Sequence, residues 1–252
     1  MTSQSAIRAV VDSLSLSTGD TVIEIGPGRG ALTEALLQEA RSKNYELRVI
    51  AIEKDEKLAT ALQKKYADDE HIRIVVGDIL EILPSLIHNS RFMLHEYKLV
   101  GNIPYYITGA IIRCITELSA PPTRAVLTMQ REVAERLSAA SPNMNLLAAI
   151  AQNSADTRII KKLPRGAFSP PPKVESAIVL FENIRPCTKE DLRYHQFIRR
   201  AFEHPRKTLT NNLGKLAEHF LIRTGLPLNT RAHELTVAQL QALAHELSVK
   251  EM

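Results

Sequence analysis

The sequence predicts an α/β protein: a Rossmann-like sheet domain over residues 1–184, followed by a small all-α domain over residues 185–252. Three observations lead there. Four short β-branched or apolar runs each end in a glycine or a polar group: 21–25 at Gly26, 48–52 at Glu53, 72–76 at Gly77-Asp78, and 97–100 at Gly101-Asn102. The first run passes through Gly26-Pro27-Gly28-Arg29-Gly30 into apolar residues at helical spacing, the strand–turn–helix opening of a nucleotide-binding βαβ unit. From Pro186 onward no strand pattern recurs.

Composition bounds the problem. A chain of 252 residues that is 44% hydrophobic can build one full domain and a smaller one. A net charge of +4 permits a polyanionic partner without requiring one. Cys114 and Cys187 lie far apart and match neither a disulfide framework nor zinc spacing, so buried or incidental thiols are expected. The eight histidines show no metal spacing; His195, His204, His219, His233 and His245 read as surface or capping residues, and no metal is expected. No apolar run reaches membrane-spanning length and the N-terminus lacks a signal-peptide pattern. The expectation is a cytoplasmic chain with no membrane partner.

Taken in order, residues 6–14 carry Ile7, Val10, Val11 and Leu14 at helical spacing. The strand 21–25 enters the glycine turn, and 31–37 resumes helical spacing. Glycines let backbone approach a ligand and leave helix N–H groups facing it. The pattern is GxGxG and Pro27 removes one donor, so a pyrophosphate cradle is the less natural reading. Glu53 ends the second strand about 20 residues on, where an acid bonds ribose hydroxyls; a solvated strand-end carboxylate is the plain alternative. A helix follows over 57–66. After the third strand, Asp78 can accept from an adenine amino group while Ile79 packs on the ring. The fourth strand breaks at Asn102-Ile103-Pro104-Tyr105-Tyr106. Pro104 stiffens that turn, the Asn102 amide both donates and accepts, and Tyr105 offers a flat face. Four strand ends bearing ligand-type groups are far more specific than any one of them.

Helices are expected over 110–118 and 133–140 around a strand at 125–129, with another helix starting at 146. Arg131 and Arg136 read as a solvated helix face. Beyond a boundary near 183–188, helices are expected over 195–202, 209–220 and 237–247.

The stretches VIEIGPGRGALTEALL, IEKD, GDIL and GNIPYYIT resemble the successive motifs of S-adenosylmethionine-dependent rRNA adenine dimethyltransferases. GAFSPPPKVESAIVLF (166–181) resembles that family's late motif. The double tyrosine, the triple proline, FEHPRKTLTNNL and RAHELTVAQLQALAHEL are closer to its small-subunit rRNA members than to the macrolide-resistance enzymes that act on large-subunit rRNA. The chain departs in one respect: members usually carry a Gly-Gln-Asn-Phe-Leu-type motif ahead of the first helix, and Met1 stands about where it would end.

The resemblance implies a class I methyltransferase domain, S-adenosyl-L-methionine as cofactor, and two methyl transfers to the exocyclic N6 amine of adenines in a small-subunit rRNA loop. Cofactor contacts are expected from Glu24, Gly26, Gly28, Glu53, Asp78, Ile79 and Asn102. Catalysis is expected from Asn102 and the Pro104 turn, with the base held between Tyr105 and Phe168. Basic residues gather between 199 and 223, and Arg199, Arg206 and Lys207 are the expected RNA contacts; a solvated basic face is the alternative. The implied partner is an immature small ribosomal subunit, met by a monomer. Two other readings stay open: a large-subunit rRNA methyltransferase, and a non-catalytic RNA-binding assembly factor.

Overall fold

The structure, a computed structural model, describes residues 1–88 and 96–250. Its first half runs α1 (Gln4–Leu14), β1 (Thr21–Ile25), α2 (Ala31–Lys43), β2 (Arg48–Glu53), α3 (Glu56–Lys65), β3 (Ile72–Val76), α4 (Ile79–His88), β4 (Lys98–Asn102), α5 (Thr108–Thr116) and β5 (Arg124–Gln130). The second half runs α6 (Arg131–Leu137), α7 (Leu146–Ser154), β6 (Asp156–Leu163), β7 (Ser176–Glu182), α8 (Lys189–Ala201), α9 (Leu209–Leu213), α10 (Lys215–Thr224) and α11 (Val237–Lys250).

Among the described residues the strands form one seven-stranded sheet in the order β3-β2-β1-β4-β5-β7-β6. β1 to β5 are parallel, and β7 runs antiparallel to both β5 and β6. The chain winds outward from β1 to β3, then returns to β4 on the other side of β1. That reversal opens a crevice beyond the strand ends. Gly101 makes the close approach possible there: a Cβ on it would lie 2.7 Å from the Ile25 Cβ and 2.8 Å from its carbonyl oxygen. Any side chain at 101 would force β1 and β4 apart.

Among the described residues three apolar cores hold the layers. On one sheet face, Ile79, Leu83 and Leu86 of α4 and Ile111, Ile112 and Ile115 of α5 pack on Ile23, Ile52, Leu99 and Leu127. On the other, α1 and α2 cover Val22, Val49, Val100, Val126 and Ile178. α1 shows why its sequence folds as it does: Ser3 caps its N-terminus by accepting from the Ala6 N–H, Ser15 ends it in the left-handed region at φ 49°, and Ile7, Val10, Val11 and Leu14 form one buried stripe. Truncating Leu14 to Ala would cost about 2–5 kcal/mol. The third core joins α8 to α11 with one face of α7, through Ala148 and Ile150, and with Met144 just before that helix.

Four elements differ from the sequence expectation. β6 lies outside it: charged, half-exposed residues hide the strand period, and pairing with β7 creates the strand. So does α4, where Pro84 interrupts an apolar run. The single helix expected over 209–220 is two, because Gly214 at φ 74°, ψ −156° stops α9 and starts α10. α8 also begins earlier than expected, at a capping box in which Thr188 and Asp191 bond each other's backbone.

Candidate active site

Alternation along the strands creates the site. Val22 and Glu24, Val49 and Glu53, Val100 and Asn102, Val126 and Thr128, and Ile178 and Ser176 share sheet faces pairwise, because side chains repeat every two residues. The apolar member of each pair faces α1 and α2. The polar member lies nearer the crevice. Glu53, Glu24, Asn102, Thr128 and Ser176 therefore form a polar row across β2, β1, β4, β5 and β7.

The glycine turn lies over the start of that row. Gly26 and Gly28 both sit at φ 60°, with no heavy atom within 4 Å of where a Cβ would stand. This open space fits a ligand lying against bare backbone. The turn's own donors point inward: Gly26 N–H to the Ile52 carbonyl, Gly28 N–H to Glu53 Oε2 at 2.9 Å, and Gly30 N–H to the Pro27 carbonyl. None of these three is free for a pyrophosphate. Glu53 is buried, and its Oε1 accepts from the Asp55 N–H at 2.9 Å. Each oxygen keeps acceptor capacity for a diol. Glu24 lies deeper, 1% exposed, and accepts from the Thr33 hydroxyl at 2.6 Å. Burial, with a contribution from nearby Glu53, pushes its carboxyl up to about 7. The bond from Thr33 ties β1 to the first turn of α2.

Asp78 Oδ1 accepts from the Leu80 N–H at 2.9 Å, and Oδ2 pairs with Lys54 Nζ at 2.8 Å, which holds the carboxyl below its ordinary range. Ile79 is buried in the first core.

At the end of β4, the Ile103 N–H bonds the Thr128 carbonyl, Pro104 takes φ −56°, and Tyr105–Ile107 form one 3₁₀ turn. The half-buried Asn102 amide makes no hydrogen bond among the described residues and is open to a ligand. Tyr105 is fixed by its hydroxyl, 2.8 Å from the Ser176 Oγ. Beside Asn102 in register, the Thr128 hydroxyl is buried without a partner among the described residues. Phe168 is 9% exposed and packs in the second core with Leu163, Ala167 and Ile178, so most of its ring is committed to the fold. The Thr2 and Ser3 N–H groups bond the Ala167 carbonyl and tie the chain's first residues to this segment. Arg131 ties α6 to the loop before β7 by an ion pair to Glu175 at 2.8 Å.

In the helical region His195 corrects the sequence reading: it is 2% exposed, not a surface or capping residue. It sits on the buried face of α8 with its Nδ1 4.0 Å from Glu117, and burial lowers its pKa. Arg199 lies 3.8 Å from the same Glu117 and is half exposed. Arg206 and Lys207 are exposed in the turn between α8 and α9 and hold no ion pair among the described residues. Among the described residues there is no cluster fit for a metal, and no helix is long and apolar enough to cross a membrane.

The sequence reading missed Lys54, Thr128 and Ser176. Lys54 directly follows Glu53 and Ser176 opens the last strand, so both carried a positional signal. Thr128 in an apolar strand carried none.

A family described as ribosomal RNA adenine dimethylase matches residues 1–248. The chain is 35% identical to the ribosomal RNA small subunit methyltransferase A of Acidobacterium capsulatum, over 96% of this chain and 87% of that one. It is 37% identical to the protein of that name from Dehalococcoides mccartyi strain 195, over 84% and 71%. It is 34% identical to the one from Latilactobacillus sakei, over 97% and 86%. In fold it resembles the crystal structure of the 23S rRNA methyltransferase ErmE, with a TM-score of 0.73, 24% identity and 98% of both chains covered. It resembles a dimethyladenosine transferase from Plasmodium falciparum equally, at a TM-score of 0.73 with 20% identity, over 100% of this chain and 98% of that one.

Proposed function

The chain belongs to the ribosomal RNA adenine dimethylase family, and from that premise we propose how its own residues carry the reaction. The protein is an S-adenosylmethionine-dependent rRNA adenine dimethyltransferase that places two methyl groups on the N6 amine of adenines in small-subunit rRNA. Fold likeness alone does not separate small-subunit from large-subunit substrates, since the two solved structures match equally well. Sequence identity of 34–37% to the small-subunit enzymes favours the former.

The observation that supports the assignment of roles is the placement of Glu53, Asp78 and Asn102 at the C-terminal ends of the parallel strands β2, β3 and β4, along one edge of the sheet. The residues fit the cofactor: bare backbone at Gly26 and Gly28, a carboxylate for a ribose diol at Glu53, and an acceptor for an adenine amino group at Asp78. When bound, the cofactor supplies a methyl group already activated on a sulfonium. The chain's task is then orientation. The exocyclic amine of adenine is a poor nucleophile, its lone pair being delocalised into the ring. The Asn102 side-chain oxygen and a carbonyl of the Ile103–Pro104 turn accept its hydrogens and favour a pyramidal nitrogen. Tyr105, locked by Ser176, holds one face of the base, and the exposed edge of Phe168 meets the other. The base must leave its stack to arrive there.

In this reading residues 1–184 form the methyltransferase domain, and residues 185–252 hold RNA through Arg199, Arg206 and Lys207. The protein acts in the cytoplasm, as a monomer, on the immature small subunit. Incubation of immature small subunits with methyl-labelled cofactor, followed by nucleoside analysis, tests the function; N6,N6-dimethyladenosine is expected. Asn102→Ala should lower turnover about 10²-fold, as for one lost transition-state hydrogen bond. Label appearing only in large-subunit RNA would overturn the substrate, and full turnover by Asn102→Ala would remove Asn102 from catalysis.

A further inference from the structure

The chain has six tyrosines and six phenylalanines. Among the described ones, all but one are buried or half-buried; the exception is Tyr106, 82% exposed. It stands in the 3₁₀ turn next to Tyr105, within four residues of Asn102. We propose that Tyr106 is a stacking platform for the nucleotide flanking the target adenine, separate from the slot that holds the adenine itself. The proposal rests on the reading of the chain as an rRNA adenine methyltransferase.

The fold fixes the backbone of Tyr106 and leaves its ring unused. The Ile107 N–H bonds the Pro104 carbonyl at 3.1 Å, and the Thr108 hydroxyl bonds the Tyr105 carbonyl at 3.2 Å. Pro104 stiffens the turn from the other side. Tyr105 spends its hydroxyl on Ser176. The Tyr106 hydroxyl makes no hydrogen bond among the described residues, and its ring contributes to none of the three cores. A large flat ring on a rigid turn loses little freedom on binding, which suits it to a base. Tyr106 follows the end of β4 by four residues, on the same edge of the sheet as Lys54 after β2 and Asp78 after β3. The ring therefore borders the crevice mouth, where a strand would pass as its adenine enters.

Extruding a base also strips one stacking partner from its neighbour in the strand. An aromatic platform replaces that partner, and it tolerates any base because every base has a π-face. A protein ligand would call for a broader apolar patch than one isolated ring. The cofactor is the competing occupant, and the test separates it.

Tyr106→Ala, Tyr106→Phe and Tyr106→Trp would be compared with the wild type on immature small subunits, alongside calorimetry with S-adenosylhomocysteine. A stem-loop carrying 2-aminopurine beside the methylated adenine would report stacking by quenching. Expected for Tyr106→Ala are a KM for RNA raised roughly 5- to 100-fold, unchanged S-adenosylhomocysteine affinity, lost quenching, and a salt slope of RNA binding equal to the wild type. Phe and Trp should restore KM and quenching, since the ring and not the hydroxyl does the work. A KM unchanged in Tyr106→Ala, or Phe behaving as Ala, would overturn the proposal. So would weakened S-adenosylhomocysteine binding with RNA binding intact, which would make Tyr106 a cover for the cofactor. Absence of methylation by the wild type would instead fail the functional reading itself.

Discussion

The Glu53 carboxylate accepts the Gly28 N–H at 2.9 Å, so the end of β2 and the glycine turn after β1 are one rigid unit. The same carboxylate takes the Asp55 N–H with its other oxygen. A group so oriented before any ligand arrives binds without a reorganisation cost. Glu53→Ala should remove both the proposed ribose contact and the turn's support. Loss of hydrogen bonds to a charged acceptor, at about 1.5–3 kcal/mol each, predicts at least ~10-fold weaker S-adenosylhomocysteine binding by calorimetry. Equal affinities would take Glu53 out of the site.

Phe168 fills the second core and, in the proposed function, also meets the target base; two substitutions separate the two roles. Phe168→Ala should destabilise by about 3–5 kcal/mol, because the ring fills the second core. Phe168→Leu keeps most of the volume and should cost under ~1.5 kcal/mol while slowing methyl transfer. Chemical denaturation and single-turnover rates measure the two effects. A Leu variant with wild-type turnover would restrict Phe168 to packing.

Glu24 gives the ligand-free protein a pH dependence of unusual sign. Its folded pKa is raised from 4.5 to about 7, so between those values the folded state holds a proton that the unfolded state has lost. Stability from this group is therefore full below about pH 4.5, falls as pH rises, and is gone above about pH 7, a loss on the order of 3 kcal/mol. Glu24→Gln should flatten that slope and gain on the wild type at pH 8 but not at pH 4. Parallel pH profiles for the two proteins would show that Glu24 titrates normally.

Arg206 and Lys207 should act on RNA through charge alone. Replacing both with Ala should weaken RNA binding, with cofactor affinity unchanged. The salt slope should fall by about 0.7–0.9 for each phosphate that the variant no longer neutralises. Filter binding across a salt series would show it. An unaltered slope would leave the pair as a solvated face.

Most of the sheet was legible in the sequence. β1, β2, β3, β4 and β5 are apolar runs stopped by Gly26, Glu53, Gly77, Asn102 and Gln130, and those stops are local chemistry that a linear reading can see. The polar groups at four of these ends mark the candidate site without any knowledge of packing. What local chemistry does not carry is partnership. β6 is a strand only because β7 pairs with it, and its own residues are those of a solvated edge. Neighbouring tyrosines 105 and 106 read alike in sequence, yet the 3₁₀ turn aims one at Ser176 and the other at water. Likewise the burial of Phe168 in the second core, and of His195 on the inner face of α8 beside Glu117, depends on packing that no local stretch announces. Glu24 looks in sequence like any strand-end acid; its burial in the folded chain is what chiefly raises its proton affinity, against the opposing bond from Thr33. Strand ends are set by the residues that stop them, whereas burial, protonation and aim are set by whatever the folded chain places opposite.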